Sequence, residues 1–444
     1  MMSTKHGDGK KACQVFYADL YGLREAKYEY LDQHDVSTTD WQPLHPQSET
    51  YLLVPQDTRL LGAYEKYPKV TDIFPVNSVG IVTARDDLTI KWSRDEVWET
   101  VQRFASLEPE LARAGYQLGK DARDWKVELA QKDLLDSGPD KTNIQSILYR
   151  PFDIRYTYYT GHSRGFHCMP RRDVMQHMMK ENIGLSCCRQ LSSTEYHHAF
   201  VTSHIVDDSM VSNKTKERGY LFPLYLEPES QAVLVKGQEK LDLYGIQHTL
   251  RTHVDRQANI ASEFMASLVR TFNQSVMPEE IFYYIYAVLY STVYRQKYAD
   301  FLKRDFPRIP FTPDHALFLD LGKLGKRLAD LHLMKSTELE VPAVRFEGAG
   351  GGRVDEVRWE AGSVWINATQ HFTPVAADVW QYQVGGYQVC HKWLKDRKGR
   401  ALRAEDIRHY CRVATALGRT VEIQREIDGM PSSPSPTRLA SEGG

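Results

Sequence analysis

The sequence predicts an α+β protein: a β-rich region with a helical insert and a helical C-terminal segment, preceded by a small α/β segment. Three observations carry this. After the SGPDK turn, short alternating or apolar runs follow one another (FDIRYTYY, NIGLSCCRQ, HHAFVTSHIV, GYLFPLYL), the pattern of strands. From about Gly237 to Leu333 the pattern turns helical, as in PEEIFYYIYAVLYSTVYRQKYADFLKRDF. Short strands return between Val341 and Val384, and GGYQVCHKWLKDRKGRALRAEDIRHYCRVATALGRTVEIQREI closes the ordered chain as a basic, helix-rich end.

In order, CQVFYADLYG reads as a short strand, LREAKYEYLDQHD as a helix and ETYLLVPQD as another strand, while Thr71–Trp92 mixes strand and turn signals. Helices are expected from Ser93 to about Leu107, with Glu96 at capping-box spacing, and around Asp121–Leu135. In FDIRYTYY, Phe152, Ile154, Tyr156 and Tyr158 alternate with Asp153, Arg155, Thr157 and Tyr159, which predicts a half-buried strand with the aromatics inward. GHSRG is a turn, and Pro170 suits the first turn of a helix carrying Val174, Met175, Met178 and Met179 on one face. The Gly348–Gly352 run is expected at a hairpin tip. The tail GMPSSPSPTRLASEGG has the composition of a disordered segment.

At 444 residues, two or three domains are expected. A formal charge of −2 excludes a protein that coats nucleic acid indiscriminately, although a local basic face remains compatible with it. Six scattered cysteines without CxxC or zinc spacing read as reduced, buried thiols of a cytoplasmic protein. The polar N-terminus lacks a signal-peptide core, and no apolar run approaches the roughly 20 residues of a membrane helix.

Motifs of chemistry are missing. There is no GxxxxGK[ST] loop, no GxSxG elbow, no [DNS]-P-P-[YFW] tetrapeptide and no Gly-rich loop after a first strand for S-adenosylmethionine. Gly322–Lys326 has the wrong spacing for a phosphate loop and fits an amphipathic helix. His197, His198 and His204 lack metal-ligand spacing, so no metal site is expected.

What remains is a set of basic turns suited to nucleic acid. They are Arg164 in GHSRG, Arg171-Arg172, and Lys214, Lys216 and Arg218 in alternation. Such arginines grip phosphates or pair with guanine in the major groove, although solvated domain edges carry similar charges. A second cluster, with Lys395, Arg397, Lys398 and Arg400, lies on WLKDRKGR, where Asp396 is expected to fix an arginine.

Long blocks along the chain, among them VFYADLYGLREAKYEYL, DIFPVNSVGIVTARDDLTI, YQLGKDARDWKV, ILYRPFDIRYTYYTGHSRGFHCMPR and GGYQVCHKWLKDRKGR, resemble the C-terminal part of type ISP restriction–modification enzymes and of related adenine-methylating helicase–methylase proteins. The resemblance implies a sequence-specificity module for double-stranded DNA. Nuclease, helicase and N6-adenine methyltransferase would lie outside this chain, in a missing part or a separately encoded partner, and S-adenosylmethionine would bind only there. It further implies a methyltransferase remnant over 1–65, a mainly helical connector over 66–140, a target-recognition domain over 141–428 with a helical portion at about 237–333, and a disordered tail over 429–444. Base-reading residues are then expected in the loops Cys188–His198 and Asp207–Gly219, namely Arg189, Ser192, Ser193, Thr194, Asn213, Lys214, Lys216 and Arg218, while YRPFD and DFPRIPF serve packing and Asp153 pairs with an arginine. The alternatives are a complete or degenerate adenine methyltransferase that uses S-adenosylmethionine, and a folded remnant without a DNA role.

Overall fold

A computed structural model describes residues 2–3, 14–46, 53–55, 59–214, 217–228 and 256–431, and separates into two compact units, 1–62 and 63–444. In the first unit the strand Val15–Tyr17 pairs antiparallel with both Met2–Ser3 and Gln42–Leu44, and the helix Arg24–Gln33 follows the central strand. None of residues 14–46 is buried; Tyr21, Leu23, Tyr28 and Leu31 are exposed. Most of ETYLLVPQD lies outside the described residues.

The second unit begins with small elements and helices. Ser93 caps the helix Arg94–Ser106, its Oγ accepting from the Glu96 N–H at 3.1 Å. The helix Val127–Asp136 follows. Phe104, Trp125, Val127 and Leu134 share a core with Tyr158 and Phe166, which come from the following β-rich stretch. The 66–140 region, expected as a connector, is therefore built into the unit by a common core.

Two four-stranded sheets follow. In one, Ile144–Arg150 lies between Ile205–Val206, paired parallel, and Asp153–Tyr158, paired antiparallel, with Ile90–Lys91 at the edge. In the other, all antiparallel, the order is Ser78–Val79, Gly219–Pro223, Gly184–Cys188 and Ala199–Thr202. The Asp153–Tyr158 strand forms where expected, with Phe152 and Tyr158 buried as expected, but its other face is buried too. Asp153, Arg155 and Thr157 are buried, and Ile154 is exposed. The polar face can be buried because its groups have partners: Asp153 holds two arginines, and the Thr157 hydroxyl donates to the Thr89 carbonyl at 2.7 Å.

After Pro170 the chain makes only a short helix, Arg172–Met175, and a 3₁₀ turn, which still bury Val174, Met175 and Met178. Residues 229–255, the start of the expected helical portion, lie outside the described residues. Beyond them the helices Pro278–Tyr290 and His315–His332 pack closely, because Gly325 leaves no side chain where a Cβ would overlap the Tyr283 carbonyl. Gly322–Lys326 lies within that second helix. The last helix, Ala404–Gly429, joins this layer through Thr420 and Gln424, whose polar atoms meet His332 at 2.9 Å and the Tyr290 carbonyl at 2.9 Å.

A third four-stranded sheet spans Arg345–Thr373. Its Arg345–Glu347 strand pairs with His371–Thr373 and not with the next strand, so the Gly348–Gly352 run leaves a sheet edge and is no hairpin tip. The five described cysteines are buried and unbridged. Among the described residues no helix is long and apolar enough to cross a membrane. The tail beyond Pro431 lies outside the described residues.

Candidate nucleic-acid interface

Each of the three basic groups is built on a buried carboxylate. The first is the GHSRG turn. Asp133 accepts from the Phe166 N–H and the Thr160 hydroxyl, both at 2.8 Å, and meets His162 Nδ1 at 2.7 Å. This pins the turn whose tip is Arg164, 64% exposed and only loosely held by Asp124 at 3.4 Å. Arg172 is exposed and lies over Gly161, where a Cβ would meet its Cδ at 3.3 Å. Arg171 sits in the left-handed region at φ +57° and is half-buried.

The second group is the pair of predicted reading loops, and Glu217 joins them. One carboxylate oxygen of Glu217 accepts from the N–H and hydroxyl of Ser192 (2.8 and 2.7 Å) and from those of Ser193 (2.8 and 2.7 Å). The other accepts from Ser212 Oγ at 2.6 Å and meets His198 Nε2 at 3.1 Å. Burial pushes this carboxyl up, but the hydrogen bonds of Ser212, Ser192 and Ser193 outweigh it and hold it well below the usual range. Burial holds the His198 ring neutral, at about 4, against the pull of Glu217.

The hydroxyls of Ser192 and Ser193 therefore orient the loops. Thr194, Glu195 and Asn213 remain exposed on them, with Lys214, whose Nζ reaches Ser193 Oγ at 3.1 Å. Arg189 and Arg218 are about half exposed and lean on Asp305 at 3.3 Å and Asp208 at 3.0 Å. Surface pairs of this kind are weak and exchange readily for phosphate. Lys216 lies outside the described residues.

The third group follows the helix Val389–Lys395. Lys395, Lys398 and Arg400 are exposed, and Arg400 lies over the Trp92 ring at 4.4 Å. Arg397 departs from the expectation of a DNA contact: it is 6% exposed, pairs with Asp153 at 2.8 Å and stacks on Trp393 at 3.4 Å. Desolvation of two neighbouring guanidiniums is offset by the shared Asp153, so Arg397 belongs to the core. Asp396 does hold an arginine, Arg155 at 3.5 Å, together with Lys392 at 2.6 Å.

Two contributors to the second group are absent from the sequence-based set. Glu217 stands among lysines and arginines in sequence, which hides its burial. The arm Gln381–Tyr387 arrives from far along the chain: the Gly385 N–H donates to the His197 carbonyl at 2.7 Å and the Gly386 N–H to the Val211 carbonyl at 2.8 Å. It brings the exposed amides of Gln381 and Gln383 to the loops. Among the described residues no hydrogen bond or ion pair joins the three basic groups to one another.

The comparisons with known proteins agree with this architecture. Residues 72–426 match the family model "Type ISP C-terminal specificity domain". No curated protein matches the chain significantly. Among solved structures, the fold resembles a nuclease-deletion mutant of the type ISP restriction–modification enzyme LlaGI with a DNA substrate mimic, at TM-score 0.63 and 18% identity over 94% of this chain and 33% of that one. It also resembles DrdV in a DNA complex (TM-score 0.68, 18% identity, 95% of this chain and 43% of that one). The ATP-dependent type ISP enzyme LlaBIII bound to DNA is similar as well (TM-score 0.63, 14% identity, 89% and 26%). The chain thus spans about a quarter to less than half the length of these structures. With the match running from the helices of the shared core to the final helix, the chain belongs to the type ISP C-terminal specificity domain family.

Proposed function

We propose that this chain reads a double-stranded DNA sequence as the specificity module of a type ISP-like restriction–modification system. The observation that carries the reading is the loop cluster held by Glu217 within a family whose defining role is specificity. Rigidly held loops present Thr194, Asn213, Lys214, Gln381 and Gln383, residue types that reach base edges. Exposed cations at Arg164, Arg172, Lys395, Lys398 and Arg400 supply phosphate contacts. The three solved relatives were each determined with DNA or a DNA substrate mimic, which supports the same reading.

Catalysis would come from another part or chain. The one parallel strand pair among the described residues, Ile144–Arg150 with Ile205–Val206, leads into no Gly-rich loop and helix of the kind that cradles S-adenosylmethionine. The exposed apolar side chains Leu23, Tyr28 and Leu31 of the first unit suit a surface completed by a methyltransferase part.

The test is selection from a random duplex library by the full chain, followed by anisotropy titrations across salt concentration. A shared sequence should be enriched, and affinity should fall steeply with salt. Charge reversal at Arg164 or Arg172, or at Lys395 and Lys398, should weaken all sequences and lower the salt slope by about 1 for each phosphate no longer neutralised. Changes at Thr194, Asn213 or Gln383 should instead shift the enriched sequence. Binding indifferent to salt and to every one of these changes would overturn the reading.

A further inference from the structure

Four arginines are buried among the described residues, and three are ion-paired. Arg150 meets Asp207 at 2.6 Å, and Arg155 and Arg397 meet Asp153 at 2.8 Å each. The fourth, Arg295, is 8% exposed and has no carboxylate partner among the described residues. Its Nε donates to the Leu289 carbonyl at 2.6 Å, and its guanidinium lies 4.7 Å from the Tyr290 ring and 6.0 Å from the Tyr196 ring. These contacts stabilise the cation without neutralising it, and a buried charge without a counter-ion is costly.

Arg295 also lines a cavity of about 380 Å³. The walls come from the Thr194–His197 loop, the helix Thr292–Lys297 and the arm carrying Gln381 and Gln383. One carboxylate lies on the walls, Glu195; its side chain is 77% exposed, meets His197 at 3.0 Å and forms no ion pair with Arg295. Hydroxyl and amide groups make up most of the other polar lining, at Thr194, Gln296, Gln381 and Gln383. A buried guanidinium without an ion pair, beside hydroxyl and amide donors, is matched to an oxyanion that can accept several hydrogen bonds at once. Beside the anion the cavity has room for more of a ligand, with the Tyr196 ring on its wall.

We propose that this cavity is a phosphate site that takes one nucleotide unit, either from the backbone of a bound DNA strand or as a free mononucleotide. The first source rests on the DNA-reading function proposed above, and the second does not. The experiment titrates the full chain with inorganic phosphate, thymidine 5′-monophosphate and thymidine, read by the melting midpoint and by calorimetry. Phosphate and the monophosphate should raise the midpoint and thymidine should not. Arg295→Gln should weaken monophosphate binding ten-fold or more. Gln296 is exposed, so Gln296→Glu keeps the fold while placing an anion at the site, and should do the same.

A duplex arm separates the sources. If the phosphate belongs to DNA, both variants lower duplex affinity and the monophosphate competes with duplex. If it belongs to a free nucleotide, duplex affinity is unchanged and there is no competition. Should no form of the chain bind duplex, the DNA-reading function fails while the monophosphate titration still decides this proposal. The proposal is overturned if phosphate and monophosphate do not bind the wild type, or bind both variants as tightly as the wild type, with duplex binding unaltered by the substitutions.

Discussion

At the scale of single residues, buried carboxylates organise the surface that carries the exposed cations. Glu217 is the clearest case: the side chains of Ser192, Ser193, His198 and Ser212, from the two predicted loops, hydrogen-bond to it, and Lys214 approaches it only to 3.9 Å. Replacing it by Gln removes the charge from every one of these hydrogen bonds and puts an NH₂ among donors. Glu217→Gln should therefore cost about 1–3 kcal/mol and blur the DNA preference without abolishing binding. The pH dependence has a definite sign. The carboxyl titrates lower in the fold than in the unfolded chain, so its contribution is present above about pH 4.3 and is lost as pH falls through its depressed folded value. The stability gap between wild type and Glu217→Gln, followed by melting midpoint, should be widest near neutrality and close in acid. A gap that stays constant down to about pH 3, below the unfolded carboxyl's range, would contradict this.

At the scale of elements, the Gln381–Tyr387 arm depends on its two glycines. Gly385 has φ +59°, and a Cβ there would overlap the Val211 carbonyl. Gly385→Ala combines backbone strain with a clash against the very segment that carries Ser212. A loss of about 1–3 kcal/mol is expected in denaturant unfolding. Duplex preference should change together with it, since Gln381 and Gln383 move with the arm. In the Asp153–Tyr158 strand, alternation located the strand and its buried Tyr158, while Asp153, Arg155 and Thr157 on the other face are buried as well because Arg397 and Thr89 arrive from elsewhere to satisfy Asp153 and Thr157.

At the scale of the whole molecule, three buried histidines set its response to acid. Burial lowers His167 to about 4, His332 to about 3 and His198 to about 4. His332 sits where three helices meet, with Nδ1 at 2.6 Å from the Tyr286 hydroxyl and Nε2 at 2.9 Å from Thr420. Each ring titrates lower in the fold than the roughly 6.5 of an unfolded chain. The unfolded state therefore binds more protons below that value. Stability is full above about pH 6.5 and falls as pH drops towards about 4, by roughly 3 kcal/mol for a fully buried ring. The melting midpoint should decline over this window, ahead of general carboxylate protonation, and a midpoint level from about pH 7 to about 4.5 would sink the argument.

By itself the sequence determined the α+β class, most strands and helices of the second unit, and the family, since those follow from local periodicity and from long blocks of residues in order. It also located the exposed cations Arg164, Arg172, Lys395, Lys398 and Arg400, because turn residues announce themselves locally. Only the tertiary structure decided which polar residues are interior. Arg397 and the Arg164 group carry the same charge in sequence, yet one packs against Asp153 and Trp393 and the other stands in solvent. Nor could local pattern bring Gln383 to Thr194 or leave Arg295 as a buried arginine without a carboxylate partner among the described residues. Burial and pairing are properties of segments far apart in the chain, and the cost of an unpaired buried charge is fixed only when those segments meet.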